Sequence, residues 1–399
     1  GCKVNQYESD RLVQALEKRG FKVFSDLTYA DIFIINTCAV TAEAERKSRQ
    51  AIKRCLAKNP DGKVYICGCS SQNNPLQFQK QGVSFVCGVN KDEIINRIDA
   101  DFLFNGYENS ILTLTKTRAR SYVKIQDGCD NFCSYCIIPY LRGSSKSRDT
   151  DEIVEEVKAL SQKTKEIVLV GINLSLYGKD TGSSLVSLVK KLKDIDVRIR
   201  LGSFYAESIN KELLDSLFEL KHFCPHFHLS LQSGDDEVLK AMNRRYTTKL
   251  YKEKIELIRS YDKNACITTD IIVGFPTETD KMFENSVNFA KNMEFSDIHI
   301  FPYSQRSGVA SSKLTPPDKL VLKERIKKMT EIKRQLIKNY LFANINIEQN
   351  VFFEESIDGI KRGYSERYIR VYAKTKKEFA KVMPKEIYKD GLKGEVKDE

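Results

Sequence analysis

No apolar run in this chain of 399 residues approaches the roughly 20 residues that a membrane-spanning helix requires. The start lacks the apolar stretch of a secretory signal peptide, and the sequence contains no low-complexity tract. With 41% hydrophobic and 30% charged residues, the chain is predicted to be globular, cytoplasmic and free of membrane contact. Its length predicts two or three domains.

Histidine is also scarce, and the four histidines are His222, His226, His228 and His299. Cysteine is not scarce, since the chain has 11. Disulfide frameworks belong to short secreted chains, so cysteines in a long α/β chain indicate metal sites in a reducing compartment. The net charge of +11 favours a polyanionic partner, because each neutralised phosphate releases counterions.

The densest cysteine motif is DGCDNFCSYCIIP, residues 127–139, in which Cys129, Cys133 and Cys136 follow the spacing C-x3-C-x2-C. Three thiolates on one loop can hold three irons of a [4Fe–4S] cluster and leave the fourth iron open to a small molecule. The alternative is a zinc loop, but zinc requires four ligands, usually in two pairs. No second pair and no histidine lies near this loop, so the spacing favours the cluster.

Residues 1 to about 100 alternate helix and strand, with helices predicted over 5–19, 42–57 and 91–98 and strands over 31–36, 63–67 and 85–88. This pattern predicts a doubly wound parallel sheet. Cys38 and Cys69 each follow a strand, and Cys2 is expected to follow a leading strand that precedes Gly1. Loops at the carboxyl ends of parallel strands converge, so these three thiols are candidates for a second cluster or for three buried structural cysteines.

From about 121 to 304, six strands are predicted, each followed by a helix. Six βα units are too few for a closed eight-stranded barrel and predict an open one, with chemistry at the carboxyl ends of its strands. A long basic helix is predicted over 319–342, and strand-like segments follow from about 345 to the end.

The loop motif, with Tyr135 completing C-x3-C-x-aromatic-C, resembles that of the radical S-adenosylmethionine (SAM) enzymes. The resemblance implies a (βα)6 partial barrel, a cluster whose open iron binds SAM, and a 5′-deoxyadenosyl radical made from it. Cysteines 129, 133 and 136 are then the catalytic residues. The family's SAM-binding segments also imply seven cofactor-binding residues, which are Tyr135, Gly171, Asn173, Ser203, Gln232, Arg244 and Asp270.

The segments GCKVNQYES, NTCAVT and GC-x-x-Q resemble the three cysteine motifs of the methylthiotransferases, the MiaB/RimO/MtaB family. The resemblance implies that Cys2, Cys38 and Cys69 hold a second [4Fe–4S] cluster that donates sulfur, and that each turnover uses two SAM molecules. The opening segments are most similar to the MtaB-type branch. That branch methylthiolates C2 of N6-threonylcarbamoyladenosine at position 37 of tRNA.

The resemblance also implies three domains, an N-terminal cluster domain at 1–105, a radical SAM core at 115–342 and a small TRAM-like β-barrel at 343–399 that binds tRNA. A basic cluster that includes Arg362, Arg367 and Arg370 is the candidate RNA contact in the barrel. The expected partners are the tRNA anticodon stem-loop and a reducing protein such as flavodoxin or ferredoxin. Two alternatives remain, a RimO-type modifier of a ribosomal-protein aspartate and a non-catalytic RNA-binding module that contains metal.

Overall fold

The computed structural model describes residues 1–79, 82–102 and 118–397 of the chain. These residues form an N-terminal α/β unit, a central βα core and a C-terminal β-barrel. The predicted domain boundaries at 105 and 115 lie outside the described residues. Within the described ranges, no helix combines the length and the apolar character that crossing a membrane requires.

The N-terminal unit is a parallel three-stranded sheet with strands in the order β1-β2-β3. Alternate residues of the central strand enter two separate cores, Tyr65 and Cys67 on one face and Val64 and Ile66 on the other. Helices therefore cover both faces, which is the predicted doubly wound arrangement. The elements are α1 (Lys3–Lys18), β1 (Ile32–Thr37), α2 (Ala42–Lys58), β2 (Lys63–Gly68), α3 (Cys69–Asn73), α4 (Pro75–Gln79), β3 (Phe85–Val86) and α5 (Asp92–Phe102).

The central core opens with β4 (Arg118–Lys124), which pairs in parallel with β7 (Thr164–Val170), and β7 pairs in parallel with β8 (Arg198–Leu201). After the single residue Gly202, β9 (Ser203–Phe204) begins a second parallel sheet in the order β9-β10-β11-β12. The six predicted strands are all present, and together they form an open partial barrel. The remaining strands are β10 (His226–Leu229), β11 (Cys266–Val273) and β12 (Asp297–Pro302).

Helices pack against these strands through one large core that runs from Val123 to Leu336 and also includes Val4 and Tyr7 of α1. A short antiparallel pair, β5 (Gln126–Asp127) and β6 (Lys146–Ser147), was not predicted from the sequence. The helices are α6 (Ile138–Arg142), α7 (Thr150–Ser161), α8 (Leu185–Lys191), α9 (Lys211–Phe218), α10 (Asp236–Ala241), α11 (Thr248–Tyr261), α12 (Asp280–Asn292) and α13 (Lys319–Ala343).

The C-terminal unit is a closed barrel of five strands in the order β13-β14-β15-β17-β16. Closure leaves no exposed edge strand, and the alternate inward residues form a core of their own around Val351, Val371 and Val382. The strands are β13 (Gln349–Ile357), β14 (Ile360–Ser365), β15 (Arg370–Ala373), β16 (Phe379–Tyr388) and β17 (Gly391–Val396).

A buried group of charges joins the barrel to the central core. Glu166 on β7 accepts from Arg120 Nε at 2.7 Å and from Arg200 Nε at 2.8 Å. Arg200 also donates to the carbonyl oxygens of Ser365 and Glu366 in the barrel, at 3.2 and 3.1 Å. Burial alone raises the pKa of Glu166, but Arg200 and Arg120 outweigh it and lower the pKa to about 2. The carboxylate therefore stays charged and holds both arginines in place.

The arginines of the predicted basic cluster are engaged in ion pairs within the protein. Arg367 pairs with Asp262 of the central core at 2.9 Å. Arg362 pairs with Glu355, and Arg370 pairs with Asp390. Arg367 thus joins the barrel to the core.

Candidate active site

One cavity of about 890 Å³ is lined by all six cysteines of the two predicted triplets. Its wall is formed by the N-terminal unit, the cysteine loop and the inner faces of the strands of the central core. On another side it is lined by residues of α13 and of the C-terminal barrel, including Lys333, Tyr364 and Arg370. The cavity is therefore the place where all three units meet.

The loop that carries Cys129, Cys133 and Cys136 is enclosed by the β5–β6 pair. Gly128 turns the chain into this loop at a φ of +68°, and a Cβ atom there would lie 2.7 Å from the carbonyl oxygen of Gly143, so only glycine fits. The Cys129 amide donates to that same oxygen at 3.0 Å, and the Cys136 amide donates to the Cys133 carbonyl at 2.9 Å. Backbone geometry therefore holds the three thiols on one side of the loop.

The other three cysteines come from three separate elements. Cys2 caps the N-terminus of α1, where its Sγ atom accepts from the Asn5 amide at 3.4 Å. Cys38 directly follows β1, and Cys69 is the first residue of α3 after β2. The Asn5 side chain donates to the Thr37 carbonyl at 3.1 Å and so ties the start of α1 to the end of β1.

Both triplets have the donor chemistry of iron–sulfur ligands. Burial raises the pKa of the Cys136 thiol to about 12 and raises the pKa of Cys129 and Cys69 as well, so these thiols release their protons when metal binds. Among the described residues, neither triplet brings its three Sγ atoms within 4.8 Å of one another. Thiolates that share one zinc lie closer, about 4 Å apart. The wider spacing suits thiolates that bind separate irons of a cluster.

Arg142 connects the two triplets. Its side chain is 1% exposed, and its Nε atom donates to Cys69 Sγ at 3.3 Å. Its Nη1 atom donates to Glu8 on α1 at 2.9 Å and to Asp127, at the start of the cysteine loop, at 2.8 Å. Burial opposes ionisation of Asp127, but Lys124 and Arg142 lower the pKa of its carboxyl to about 2. One guanidinium thus fixes the loop triplet against the N-terminal triplet.

Six of the seven predicted cofactor-binding residues line the cavity, and they are Tyr135, Gly171, Ser203, Gln232, Arg244 and Asp270. The seventh, Asn173, is buried beside it in the wall of a smaller neighbouring pocket. Its side-chain oxygen caps a short 3₁₀ helix by accepting from the Ser175 amide at 3.1 Å. Its side chain also hydrogen-bonds to the Cys129 thiol and partly opposes the rise that burial causes in the pKa of that thiol, which places Asn173 beside the cysteine loop.

Arg244 is the buried cation of this group. It is 8% exposed, and its guanidinium carbon lies 4.4 Å from the centre of the Tyr205 ring. Its Nε and Nη1 atoms are buried without a partner among the described residues. Tyr205 also approaches Cys133, with its hydroxyl 3.7 Å from Sγ. A buried guanidinium with unused donors beside a cysteine loop is suited to a carboxylate.

Asp270 is held differently, because two histidines bind its carboxylate. His228 Nε2 lies 3.1 Å from Oδ2 and His299 Nδ1 lies 3.2 Å from Oδ1. Burial alone raises the pKa of Asp270, but the hydrogen bonds from the two histidines outweigh it and hold the pKa well below its usual range. Among the described residues, these three are the group whose ligand atoms converge within 4.8 Å.

The hydrogen bonds continue from His228 to a third histidine. Thr268 Oγ1 lies 2.8 Å from His228 Nδ1 and 3.2 Å from His226 Nε2. Burial, together with the charges of Arg200 and Lys3, holds the pKa of His226 well below its ordinary value, so this imidazole is neutral. Its Nδ1 atom is buried without a partner among the described residues. We call His226, Thr268, His228, Asp270 and His299 the polar wall of the cavity.

Sequence reasoning did not find the polar wall as a unit. The histidines lie far from both cysteine triplets along the chain, and only Asp270 was predicted as a site residue. The signal available in the sequence was a polar residue at every second position of two strands. These are His226 and His228 on β10, and Thr268 and Asp270 on β11. Residues two apart on a strand point to the same face, and here that face lines the cavity.

The open parallel barrel, with a three-cysteine loop at the cavity and unpartnered buried donors beside it, defines the class of a radical SAM enzyme. The sequence profile of the Radical SAM superfamily matches residues 123–290. That of "Uncharacterized protein family UPF0004" matches residues 1–88, the part that contains Cys2, Cys38 and Cys69. The cobalamin-containing radical SAM methyltransferase TsrM of Kitasatospora setae has a similar fold, with a TM-score of 0.55 over 74% of this chain and 72% of that one, at 14% identity.

Similarity in sequence narrows the class to a family. The chain is 37% identical to the threonylcarbamoyladenosine tRNA methylthiotransferase MtaB of Thermotoga maritima, over 93% of this chain and 89% of the relative. It is 35% identical to the tRNA-2-methylthio-N(6)-dimethylallyladenosine synthase of a Thermoanaerobacter species, over 84% of this chain and 77% of the relative. The chain belongs to the radical SAM methylthiotransferase family and is MtaB-like. Members of this family are enzymes that use SAM and [4Fe–4S] clusters.

Proposed function

We propose that this enzyme methylthiolates C2 of N6-threonylcarbamoyladenosine at position 37 of tRNA, in the anticodon stem-loop. The observation that carries the proposal is the single cavity that both cysteine triplets line. The named activity of the MtaB relative supports the same substrate. A carbon atom in this cavity is within reach of a radical site on one side and a sulfur donor on the other.

In this proposal Cys129, Cys133 and Cys136 hold the cluster that binds SAM, and Cys2, Cys38 and Cys69 hold the cluster that provides sulfur. With these groups bound, the site supplies one-electron chemistry that removes hydrogen from an unactivated C–H bond. A general base is insufficient, because that bond offers no acidic proton. A second SAM supplies the methyl group, and a flavodoxin- or ferredoxin-like protein supplies electrons.

Around these groups, the residues of the chain position the ligands. Arg244 offers buried donors to the SAM carboxylate, with Gln232 and Ser203 on the same wall and Asn173 next to it. Tyr135 packs in a buried group with Val238 and Phe275 and so excludes water from the loop.

The tRNA enters, in this proposal, between α13 and the C-terminal barrel. Tyr364 and Tyr368 stack with their ring centres 5.0 Å apart, and the Arg370 guanidinium lies 5.2 Å from the Tyr364 ring centre. All three line the cavity. Aromatic rings and guanidinium planes are the usual platforms for unstacked RNA bases. The division of the chain into units at 1–105, 115–342 and 343–399 is part of this proposal.

The test uses the full chain, reconstituted anaerobically with iron and sulfide and supplied with SAM and dithionite. The substrates are tRNA that carries N6-threonylcarbamoyladenosine, the same tRNA without the modification, and a ribosomal-protein peptide. The proposal predicts 5′-deoxyadenosine and a methylthio mass gain, measured by mass spectrometry, on the threonylcarbamoylated tRNA alone. A mass gain on the peptide instead would establish the RimO-type alternative.

A further inference from the structure

The polar wall lies in the same cavity as the cysteines but on the bodies of the strands. On β10, His226 and His228 precede Gln232, which follows the strand and lies at the cofactor end. Thr268 and Asp270 on β11 and His299 on β12 continue this row, because β10 pairs with β11 and β11 pairs with β12. A ligand with one end near the cysteines therefore extends its other end along this row.

Two polar groups at this end of the cavity have no hydrogen-bond or ion-pair partner among the residues that the structure describes. The Nδ1 atom of His226 is buried, 3% of the residue is exposed, and no described residue hydrogen-bonds to that atom. The Lys3 ammonium also lines the cavity, and among the described residues it has no hydrogen-bond or ion-pair partner. The buried imidazole nitrogen requires a polar partner, and the half-buried Lys3 ammonium beside it is available to bind the same ligand.

The charges around Lys3 specify the sign of that ligand. Arg120, Arg200, Glu166 and Asp270 are the charged neighbours that act on Lys3. Both carboxylates already have partners, Glu166 in the two arginines and Asp270 in the histidines. A third carboxylate, Glu354, pairs with Arg120 at 3.6 Å. The carboxylates of the group are therefore engaged by other residues, and none is left among the described residues as a counterion for Lys3. The site is therefore built for an anion.

We infer that Lys3, His226 and the rest of the polar wall form a subsite for the N6 substituent of the substrate nucleoside, with Lys3 binding its carboxylate and His226 Nδ1 its polar hydrogen-bonding groups. The inference rests on the proposed function, because a threonylcarbamoyl group carries a carboxylate, a hydroxyl and two N–H donors. On adenine, C2 and C6 flank N1 and their outward bonds diverge, so a nucleoside that presents C2 to the cysteines has room to extend its N6 substituent along the wall.

The subsite also accounts for selectivity against apolar substituents. A dimethylallyl group has no atom that hydrogen-bonds to His226 or neutralises Lys3. Buried polar groups that a ligand leaves unpaired discriminate strongly against it. The polar wall is thus a specificity determinant rather than part of the radical chemistry.

The test measures binding of three anticodon stem-loop RNAs of one sequence, with adenosine, N6-threonylcarbamoyladenosine or N6-dimethylallyladenosine at position 37. Each RNA is titrated by fluorescence anisotropy, at one salt concentration, into the full cluster-loaded chain without reductant. The variants are His226→Phe, which retains a ring to stack on Tyr368 at 4.6 Å in the native protein, and Lys3→Met. The matched control is His222→Phe, because His222 is exposed and pairs with Asp196 outside the cavity.

We expect the wild type and His222→Phe to prefer the threonylcarbamoylated RNA over the unmodified one by about tenfold or more. His226→Phe and Lys3→Met each lose about tenfold of this preference, and neither changes binding of the unmodified RNA by more than about twofold. Iron content per chain is measured on every variant. If Lys3→Met keeps its full iron content and loses the preference, the loss arises at the subsite and not from damage to the neighbouring Cys2 site.

The two proposals fail in different ways. If wild-type enzyme methylthiolates threonylcarbamoylated tRNA while both variants keep the full binding preference, the subsite is wrong and the proposed function stands. If the wild type methylthiolates only the dimethylallylated tRNA, the proposed function is wrong and the subsite is overturned with it.

Discussion

The two cysteine triplets line the same cavity but are assembled in opposite ways. Cys129, Cys133 and Cys136 lie within one loop, where the backbone hydrogen bonds of a few residues fix them. Cys2, Cys38 and Cys69 come from the start of one helix and the ends of two strands, so the whole N-terminal sheet must fold before they meet. The arrangement of the loop triplet therefore depends on a short sequence motif, whereas that of the N-terminal triplet depends on the folded sheet.

The largest expected difference between the triplets is in chemistry. Cys133→Ala is expected to abolish both 5′-deoxyadenosine and the methylthio product, each by about three orders of magnitude or more, because the reaction then lacks its radical source. Cys38→Ala is expected to lose the methylthio product while it still forms 5′-deoxyadenosine. Mass spectrometry of both products, with Cys55→Ala as a control in the core of the N-terminal unit, checks this. Loss of 5′-deoxyadenosine in Cys38→Ala would show that the triplets do not act separately.

Arg142 gives a second way to separate the triplets, since its Nε atom contacts only Cys69 among the six cysteines in the hydrogen bonds described. Arg142→Gln removes a buried cation and leaves Glu8 without its main partner, so we expect a loss of about 3–5 kcal/mol in the free energy of unfolding. It also removes a hydrogen bond to Cys69, a proposed cluster ligand, and such bonds tune reduction potential.

Chemical denaturation measures the stability, and EPR-monitored redox titration measures both clusters. We expect the potential of the N-terminal cluster to shift in Arg142→Gln while that of the loop cluster stays constant. Equal shifts in both clusters would contradict a specific contact with Cys69.

Arg244 tests the cofactor end of the loop triplet. Its buried Nε and Nη1 atoms lack partners in the part of the chain that the structure describes. Arg244→Met is therefore expected to weaken SAM binding about 10- to 100-fold, as loss of a charge-assisted hydrogen bond does. Equilibrium dialysis of the cluster-loaded chain measures this. Arg245→Met is the matched control, because Arg245 is exposed and lies outside the main cavity. Equal weakening in both variants would remove Arg244 from the SAM site.

The smallest expected effect is the pH dependence of the loop triplet's anchor. Lys124 and Arg142 outweigh burial and lower the pKa of Asp127 to about 2, whereas in the unfolded chain it is about 3.9. Because the folded pKa is the lower one, Asp127 stabilises the fold above pH about 4, and this contribution of about 1–2 kcal/mol is lost as the pH falls towards 2. Thermal unfolding of wild type and Asp127→Asn between pH 5 and 2 checks it, since the difference must shrink with acid.

The contrast between the triplets also explains what sequence reasoning achieved. The spacing of 129, 133 and 136 is visible in the sequence itself, and the apolar strand runs were enough to place all six core strands. Cys38 and Cys69 were recovered by one topological rule, that loops at the ends of parallel strands converge. The two family resemblances then supplied the chemistry.

What the sequence did not reveal depends on long-range packing. Only two of the five barrel strands were predicted, because β14, β16 and β17 carry glycine, proline and many lysines and have a weak apolar alternation. The buried charges around Glu166 and the contacts of Arg142 join residues far apart in the chain, and no local sequence pattern indicates such partners. The polar wall was not predicted for the same reason. Its three histidines look like isolated residues in the sequence until the three strands that carry them are aligned.

The most direct test of two separate cluster sites is the iron content of three proteins after anaerobic reconstitution. These are the wild type, a variant with Cys129, Cys133 and Cys136 replaced by alanine, and one with Cys2, Cys38 and Cys69 replaced. Two [4Fe–4S] clusters predict about eight irons in the wild type and about four in each variant. About four irons in the wild type, lost only with the loop triplet, would contradict the second cluster site, and zinc without iron would contradict both.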